Sequence, residues 1–237
     1  MRMIRFDPSI LSKIENLPEK CQTFPLNWAC RGDLYVVELL LKVPWIDPSK
    51  ADFKGYRALN FASMHVNSQA SIVKLLLQDS RVDPSANNNS AIRWTSSPDA
   101  AKLLLQDSRV DPAAEDNDAI RGAAENGELD VVRVLLQDPR VDPSADDNYA
   151  IRKASVGGHL EIVKLLLQDS RADPSADDNA AIRLAIQNSH LDVIKLLLQD
   201  SRVDPSSLII ESIRRAAGNG KIDEIAPLIL QICSSEV

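Results

Sequence analysis

The chain alternates between short apolar segments with helical spacing and polar segments rich in Asp, Asn, Ser and Pro. In the segment Ala150–Val156, the apolar residues Ile151 and Ala154 are three positions apart, which predicts about two turns of helix with one narrow buried face. Gly157 and Gly158 follow this segment. Because glycine readily adopts the left-handed backbone conformation that ends a helix, the pair predicts a tight turn between two helices.

A second and more apolar helix is predicted after this turn, at Leu160–Gln168. Six of its nine residues are apolar, which is too many for a single helical stripe. Such a helix has to be covered on two sides, as it would be between neighbouring repeats. Glu161, Lys164 and Gln168 are the residues left to face water.

The polar segment after the second helix predicts a projecting loop. Helix propagation stops at Asp173 and Pro174, because proline has no backbone N–H and the residue before it favours extended geometry. The Ser, Asp and Asn residues up to Asn179 favour a turn. Asn179 itself fits either of two roles, the N-cap of the next helix or a left-handed turn residue. One unit is therefore helix, turn, helix, projecting loop.

This unit recurs along the chain, and its most uniform part is the string LLLQDSRVDP. Copies of the string occupy Leu39–Pro48, Leu75–Pro84, Leu103–Pro112, Val134–Pro143, Leu165–Pro174 and Leu196–Pro205. The first of these copies is the most divergent, and the last three spacings between copies are 31 residues each. A period of this length is typical of helical solenoids, in which stacked units share one continuous core. We therefore expect function on a repeated surface and not in a single pocket.

The unit resembles the ankyrin repeat. Ala154–Leu166, ASVGGHLEIVKLL, matches the family pattern AxxxGHLEIVxLL, and Ala123–Leu136 is equally close. Pro25–Leu26 keeps the family's PL, and Gly55–Ala62, GYRALNFA, corresponds to the family's GYTPLHxA. The resemblance implies an all-α, ankyrin-type solenoid of stacked helix-turn-helix repeats with short projecting hairpin-like loops.

We predict an N-terminal capping segment over residues 1–20 and an ankyrin repeat domain of about seven repeats over residues 21–237. The third repeat lacks three residues between its helices, but Ser97–Asp99 supplies an N-cap, a first-turn proline and an acidic first turn. We expect a local defect in the stack near residues 60–100. The last helix, near 223–232, carries the apolar run LILQIC, which either packs inward or makes a contact.

The middle repeats depart from the family at the start of the first helix. Arginine stands where the family has its Thr and His: Arg93, Arg121, Arg152, Arg183 and Arg214. We expect these guanidinium groups to bridge to loop carboxylates, such as Asp147 or Asp178, of their own or the next repeat.

The net charge of the chain limits the classes of partner that it is expected to bind. The net charge of −7 and the pI near 5.0 disfavour nucleic acid and anionic membranes, which attract clustered Lys and Arg. The acidic loop tips would form a negative edge that steers basic partners, so we expect another protein with a basic or neutral surface, bound by a monomer. The three cysteines, Cys21, Cys30 and Cys233, are odd in number and widely spaced, so they indicate neither a disulfide framework nor a zinc site. With no signal-like or membrane-spanning run, they indicate an intracellular and cytoplasmic protein.

No motif for chemistry stands out, and we expect no enzyme, no metal and no cofactor. The three histidines, His65, His159 and His190, do not converge, and a structural role at the helix start suits the last two. Gly157 and Gly158 lack any phosphate-loop context. The paired loop acids do not have the spacing of a calcium loop.

The positions that differ from repeat to repeat are the candidates for function. The residue after the repeated Arg differs in every repeat: Trp94, Gly122, Lys153, Leu184 and Arg215. The residue after the Asp/Asn loop also differs: Ser90, Asp118, Tyr149 and Ala180. Packing would keep such positions alike, so we expect them to be exposed.

In ankyrin proteins, the resemblance implies, loop tips and first helices form a concave face that binds partners. We therefore predict a non-catalytic interaction scaffold whose partner-binding residues are Trp94, Tyr149, Lys153, Leu184 and Gln187. Drift on a solvated surface is the alternative for these positions. A second candidate function is an adaptor that recruits bound proteins to a larger machine, such as a ubiquitin ligase, through residues 1–20.

Overall fold

The computed structural model of the chain describes residues 24–51, 57–64 and 70–204. These residues form twelve α-helices and no strand, which confirms the predicted all-α class. The helices are α1 Phe24–Ala29, α2 Leu34–Leu41, α3 Ala58–Met64, α4 Ala70–Gln78, α5 Ala86–Arg93, α6 Pro98–Gln106, α7 Ala114–Glu125, α8 Leu129–Leu135, α9 Ala145–Gly157, α10 Leu160–Leu167, α11 Ala176–Asn188 and α12 Leu191–Leu198. None of the helices within these ranges is long and apolar enough to cross a bilayer.

Several predicted features lie outside the described residues. They are the capping segment 1–20, the helix near 223–232, and the residues Cys21, His65, Arg214, Arg215 and Cys233.

The chain forms two compact units, Met1–Pro112 and Ala113–Val237, called here the N-terminal and C-terminal units. In the N-terminal unit, α1, α3 and α5 pack side by side as first helices, and α2, α4 and α6 as second helices. In the C-terminal unit, α7, α9 and α11 form the layer of first helices, and α8, α10 and α12 the layer of second helices. Each first helix also packs on the second helix of its own repeat, as the helix-turn-helix pattern predicts.

The second helices are buried on two sides, as their composition predicts. In α10, Ile162, Val163 and Leu166 are buried, while Glu161 and Lys164 are exposed. Full burial of one such aliphatic side chain stabilises the fold by about 1.5–3 kcal/mol. The largest fully buried side chains recur in both units: Leu26, Leu40, Ile46, Ile72, Leu76, Ile92 and Leu104, then Ile120, Leu135, Ile151, Ile162 and Leu166.

The turns between paired helices end the first helix as predicted. Gly158 adopts the left-handed conformation, with φ 68° and ψ 24°, and its N–H bonds to the carbonyl of Ala154. In the shortened third repeat, Ser97 Oγ accepts the N–H of Ala100 at 3.3 Å and Pro98 opens α6. The predicted N-cap and first-turn proline are therefore confirmed.

Four first helices, α5, α7, α9 and α11, open with three consecutive left-handed residues. The triplets are Asn87–Asn89, Glu115–Asn117, Asp146–Asn148 and Asp177–Asn179. Asn and Asp tolerate this conformation better than other residues with a side chain, which accounts for the composition of the loop. Of the two roles considered for Asn179, the left-handed turn is the one observed, with φ 56°.

The last residue of each triplet is an asparagine that ties one repeat to the next. Asn148 Oδ1 accepts the backbone N–H of Asp173 at 2.6 Å, and Asn117 does the same for Asp142 at 2.7 Å. These asparagines are buried, so the bond gives a partner to an amide oxygen that is shielded from water.

The repeated string has a further role that its pattern does not reveal. In the five copies from Leu75 onward, the arginine forms a short ion pair with the aspartate two residues earlier, as between Arg171 and Asp169 at 2.6 Å. The same guanidinium donates to a carbonyl of the preceding repeat, from Arg171 Nη1 to Val141 O at 2.6 Å and from Arg202 Nη1 to Ala172 O at 2.7 Å. The string thus joins neighbouring repeats by hydrogen bonds as well as by packing.

Candidate partner-binding face

In the first helices, two partly exposed residues stand in sequence between two buried ones. In α9, Ile151 and Ala154 are buried, whereas Arg152 and Lys153 between them are partly exposed. The same alternation occurs in α11, where Leu184 is partly exposed and follows Arg183. The position after the repeated arginine therefore reaches solvent, as its variability predicts.

Tyr149 and Lys153 are held by a carboxylate from the preceding first helix. The Tyr149 hydroxyl donates to Glu125 Oε2 at 3.1 Å, and Lys153 Nζ lies 3.1 Å from Glu125 Oε1. The hydrogen bond from Lys153 lowers the pKa of Glu125, and the same bond raises the pKa of Lys153. Two of the five predicted site residues thus form one network between α7 and α9.

The Tyr149 ring is surrounded by cations. Lys153 Nζ lies 5.0 Å from the ring centroid, and the guanidinium carbons of Arg121 and Arg152 lie at 5.1 and 5.9 Å. Attraction between a cation and an aromatic face is worth about 0.5–1 kcal/mol at exposed sites. Three cations and the carboxylate of Glu125 therefore contact this one side chain.

The repeated arginines bridge to the loop of the next repeat, as predicted, but the carboxylate partner is one residue earlier than expected. Arg121 Nη1 lies 2.6 Å from Asp146 Oδ2, and Arg152 Nη1 lies 3.2 Å from Asp177 Oδ2. The expectation that Asp147 or Asp178 supplies the carboxylate is wrong for these two arginines. Asp146 and Asp177 are the first residues of their left-handed triplets, and it is the carboxylate of this first residue that the arginine of the preceding repeat contacts.

Arg183 and Arg93 bond to backbone carbonyls of their own loops. Arg183 Nε donates to Asp178 O at 2.8 Å, and Arg93 Nη1 donates to Asn88 O at 3.4 Å. The arginines therefore hold the loop to its own first helix as well as to the next repeat.

The remaining predicted site residues are accessible in their own units. Trp94 in the N-terminal unit is 40% exposed, with the Arg93 guanidinium 5.6 Å from its ring centroid. Leu184 and Gln187 in α11 of the C-terminal unit are partly exposed.

The position directly after the loop is not uniformly exposed. Ser90 and Ala180 are buried, at 1% and 3% exposure, so the expectation of exposure is wrong for them. Each begins the right-handed part of its helix, where a small side chain packs inward. The hydroxyl of Ser90 accepts a hydrogen bond from Asn60 Nδ2 at 2.8 Å. Tyr149 reaches the surface from the same position because its side chain is longer.

Sequence reasoning missed two aromatic residues at the Trp94 position of earlier repeats. Trp28 in α1 is 55% exposed, and Phe61 in α3 is partly exposed. The signal was available, because each residue stands two positions after a buried Leu that matches Ile92. It was missed because the first two repeats lack the repeated arginine.

The acidic loop tips are confined, among the described residues, to the C-terminal unit. The left-handed triplets of this unit carry six exposed carboxylates: Glu115, Asp116, Asp146, Asp147, Asp177 and Asp178. The corresponding triplet of the N-terminal unit is Asn87–Asn89, which carries no charge. Among the described triplets, the carboxylates that the predicted negative edge requires are those of the C-terminal unit.

The groups considered for chemistry have structural roles or are buried. His159 Nε2 donates to Glu125 O at 3.2 Å, and His190 Nε2 donates to Val156 O at 2.8 Å, so each ring ties its repeat to the previous one. Burial raises the pKa of the Cys30 thiol to about 12, which keeps it unreactive. Within the described ranges no cluster of His, Cys, Asp and Glu could hold a metal ion.

Comparison with known proteins agrees with the helix pairs. The family model described as ankyrin repeats (3 copies) matches residues 120–207. No curated protein matches the chain. Ankyrin repeats are generally protein–protein interaction modules and are typically non-catalytic. The helix pairs and the family match together show that residues 120–207 form ankyrin repeats.

Proposed function

We propose that the chain is a non-catalytic interaction scaffold that binds a partner protein through its loop tips and first helices. The observation that carries the proposal is the exposure of the first-helix position that differs in every repeat, beside buried positions that stay apolar. Side chains that serve only the stack, such as Ile151 and Leu166, are alike from repeat to repeat and buried. Variation restricted to an accessible face is what recognition of a particular partner requires.

In the C-terminal unit, the proposed contact residues are Tyr149, Lys153, Leu184 and Gln187. The network with Glu125 supports this choice, because Tyr149 and Lys153 are already ordered and lose little conformational freedom on binding. An aromatic side chain such as Tyr149 commonly dominates the binding energy of an interface. Leu184, on the next first helix, would add apolar contact area.

The charge of the C-terminal unit favours a partner with a basic or neutral surface. Its exposed loop carboxylates recur in every described repeat and attract positive charge over about 8–10 Å at physiological salt. We expect the association rate with such a partner to fall as ionic strength rises. An association rate that does not change between low and high salt would remove this part of the proposal.

Affinity purification with mass spectrometry tests the proposal. The bait is the full chain, and the variant carries Trp94→Ala, Tyr149→Ala and Leu184→Ala. A matched control carries Glu161→Ala, Lys164→Ala and Lys195→Ala, three exposed positions on second helices. We expect a partner that is captured by the parent chain and the control and is lost from the first-helix variant. Equal capture by both variants would favour drift at these positions.

The adaptor function remains a separate candidate. It rests on residues 1–20, which lie outside the described residues, and no contact of the described repeats favours it. The division into a capping segment and about seven repeats is likewise a proposal, of which the six helix pairs between 24 and 204 are the described part.

A further inference from the structure

Three aromatic side chains occupy one repeat position in the N-terminal unit. Trp28, Phe61 and Trp94, called here the aromatic row, belong to α1, α3 and α5. Trp28 and Trp94 are 55% and 40% exposed, and Phe61 is partly exposed. Contiguous exposed apolar surface marks contact sites, whereas apolar side chains exposed singly need no such explanation.

The three helices that carry the aromatic row lie side by side. The first helices α1 and α3 pack together, and so do α3 and α5. The guanidinium carbon of Arg31, one turn after Trp28, lies 5.4 Å from the Phe61 ring centroid. Asn60, next to Phe61, bonds to Ser90 of α5. Neighbouring helix axes are about 8–10 Å apart, so the row extends over roughly 16–20 Å. An extended peptide of about five or six residues has this length.

The first helices that carry the aromatic row contain or adjoin arginines and have no carboxylate, in contrast to the loops of the C-terminal unit. Arg57 and Arg93 belong to residues 57–64 and 86–97, and Arg31 follows α1. Two neighbouring carboxylates have partners of their own: Asp33 caps α2 through the N–H of Val36, and Asp99 in α6 pairs with Lys102. Arg31 and Arg93 lie over the rings of Phe61 and Trp94. A guanidinium stacked on a ring keeps in-plane N–H groups that match a carboxylate in geometry.

We propose that the N-terminal unit binds an acidic peptide segment with apolar side chains along the aromatic row. The apolar side chains of the segment pack against the indole and phenyl rings, and its Asp or Glu carboxylates accept hydrogen bonds from Arg31 and Arg93. This inference rests on the proposed scaffold function and names the partner chemistry for one of its two units. It differs from the basic or neutral surface that suits the C-terminal unit.

A peptide fits these observations better than a nucleic acid or an anionic membrane. Both polyanions bind mainly through many simultaneous Lys or Arg contacts, of the order of 6–10 for a typical DNA-binding protein. The first helices of the N-terminal unit offer three arginines within the described ranges, on a chain with a net charge of −7. Apolar packing on the rings has to supply most of the affinity, and a peptide with large apolar side chains provides it.

Selection from a displayed library of random twelve-residue peptides, with the full chain immobilised, provides the probe. Enriched peptides are synthesised with a fluorescent label, and their affinity is measured by anisotropy. We expect enriched sequences that combine Asp or Glu with Leu, Phe or Trp. Trp28→Ala and Trp94→Ala should each weaken binding at least about tenfold, as loss of an aromatic anchor does. Tyr35→Ala, at a 63% exposed aromatic residue on the second helix α2, is the matched control and should leave affinity unchanged.

A charge reversal provides a second test that does not depend on the tryptophan variants. The double variant Arg31→Glu and Arg93→Glu should weaken binding of the acidic peptide. It should strengthen binding of the same peptide with its acids replaced by lysine. Thermal melting followed by circular dichroism establishes that each variant is folded.

The outcomes separate this inference from the proposed function. Three results of the selection would overturn the inference. They are enrichment of basic peptides, enrichment of peptides whose binding depends on Tyr149 and Leu184 instead of the aromatic row, and no enrichment above the blank support. A partner lost from the first-helix variant in affinity purification would still support the scaffold. Tighter binding of oligothymidine or phosphatidylserine vesicles through Trp28 and Trp94 would overturn the choice of a peptide.

Discussion

Replacement of Asn148 by alanine removes a hydrogen bond that ties two consecutive loops of the C-terminal unit. Asn148 Oδ1 accepts the N–H of Asp173 at 2.6 Å, and the asparagine is buried. Its backbone is left-handed, with φ 60° and ψ 40°. The substitution therefore has two costs, one from the lost bond and one from the backbone conformation.

The magnitude follows from these two contributions. Loss of the hydrogen bond, whose Asp173 N–H is only partly buried, costs about 0.5–1.5 kcal/mol. A residue such as alanine in the left-handed conformation costs about 1 kcal/mol or more relative to its preferred conformation. We expect Asn148→Ala to lower the free energy of unfolding by roughly 1.5–2.5 kcal/mol.

Two matched variants separate the contributions. Asp147, the preceding residue, is left-handed with φ 52° and exposed, so Asp147→Ala tests the backbone conformation alone and should cost about 1 kcal/mol. Asn148→Asp keeps an acceptor oxygen, and aspartate tolerates the left-handed conformation, so the Asp173 amide should stay protected; the burial of its charge beside Asp147 adds a separate cost.

Urea unfolding followed by far-ultraviolet circular dichroism measures the three free energies, and hydrogen exchange reports the Asp173 amide directly. That amide should exchange faster in Asn148→Ala than in the parent chain. Equal destabilisation by Asn148→Ala and Asp147→Ala, or an Asp173 amide that stays protected, would refute the role given to the asparagine.

Three further changes test other parts of the fold. Arg121→Gln breaks the ion pair with Asp146 and should cost about 1–2 kcal/mol in urea unfolding, since the hydrogen bonds of a charged group are worth this much; no measurable loss would show that the bridge is not stabilising. Gly158→Ala places a methyl group against the His190 ring at φ 68° and should lower the melting temperature by several degrees, whereas an unchanged melt would contradict the close approach. Hydrogen bonds from arginine lower the pKa of the aspartates in the repeated string below the ordinary value of 3.8. The stability that these aspartates contribute is therefore present above about pH 4 and is lost as the pH falls through the lowered pKa values. Urea midpoints should be level from pH 5 to 7 and decline below about pH 4, and a decline that begins above pH 5 would point to other groups. The aspartates concerned are Asp79, Asp107, Asp138, Asp169 and Asp200.

Local features of the fold are readable from the sequence because they depend on neighbouring residues. The helical spacing of Ile151 and Ala154, the glycine turn at Gly158 and the N-cap at Ser97 are all decided within a few positions. The structure confirms each of them.

Interactions between repeats could not be read in the same way. The bond from Arg171 to Val141 joins residues 30 positions apart, and nothing in the string DSR distinguishes it from a simple turn. The choice between two roles for Asn179 also depended on a distant group, the N–H of Asp204, which its side chain accepts at 3.1 Å.

The candidate site was predictable in position and only partly in composition. Variation after the repeated arginine led to Trp94 and Lys153, which are accessible. The arginine also limited the search, because Trp28 and Phe61 occupy the same position in repeats that have asparagine there. Burial of Ala180 at a variable position shows that small residues can differ between repeats without reaching solvent.

The central claim is that partner binding resides on the first helices. The most direct measurement is the dissociation constant of the captured partner for two single variants, Leu184→Ala on α11 and Lys195→Ala on the following second helix α12. The account predicts that Leu184→Ala raises the dissociation constant about tenfold, as loss of a buried contact does, while Lys195→Ala leaves it unchanged. Equal constants for both variants, or a larger effect at Lys195, would contradict the account.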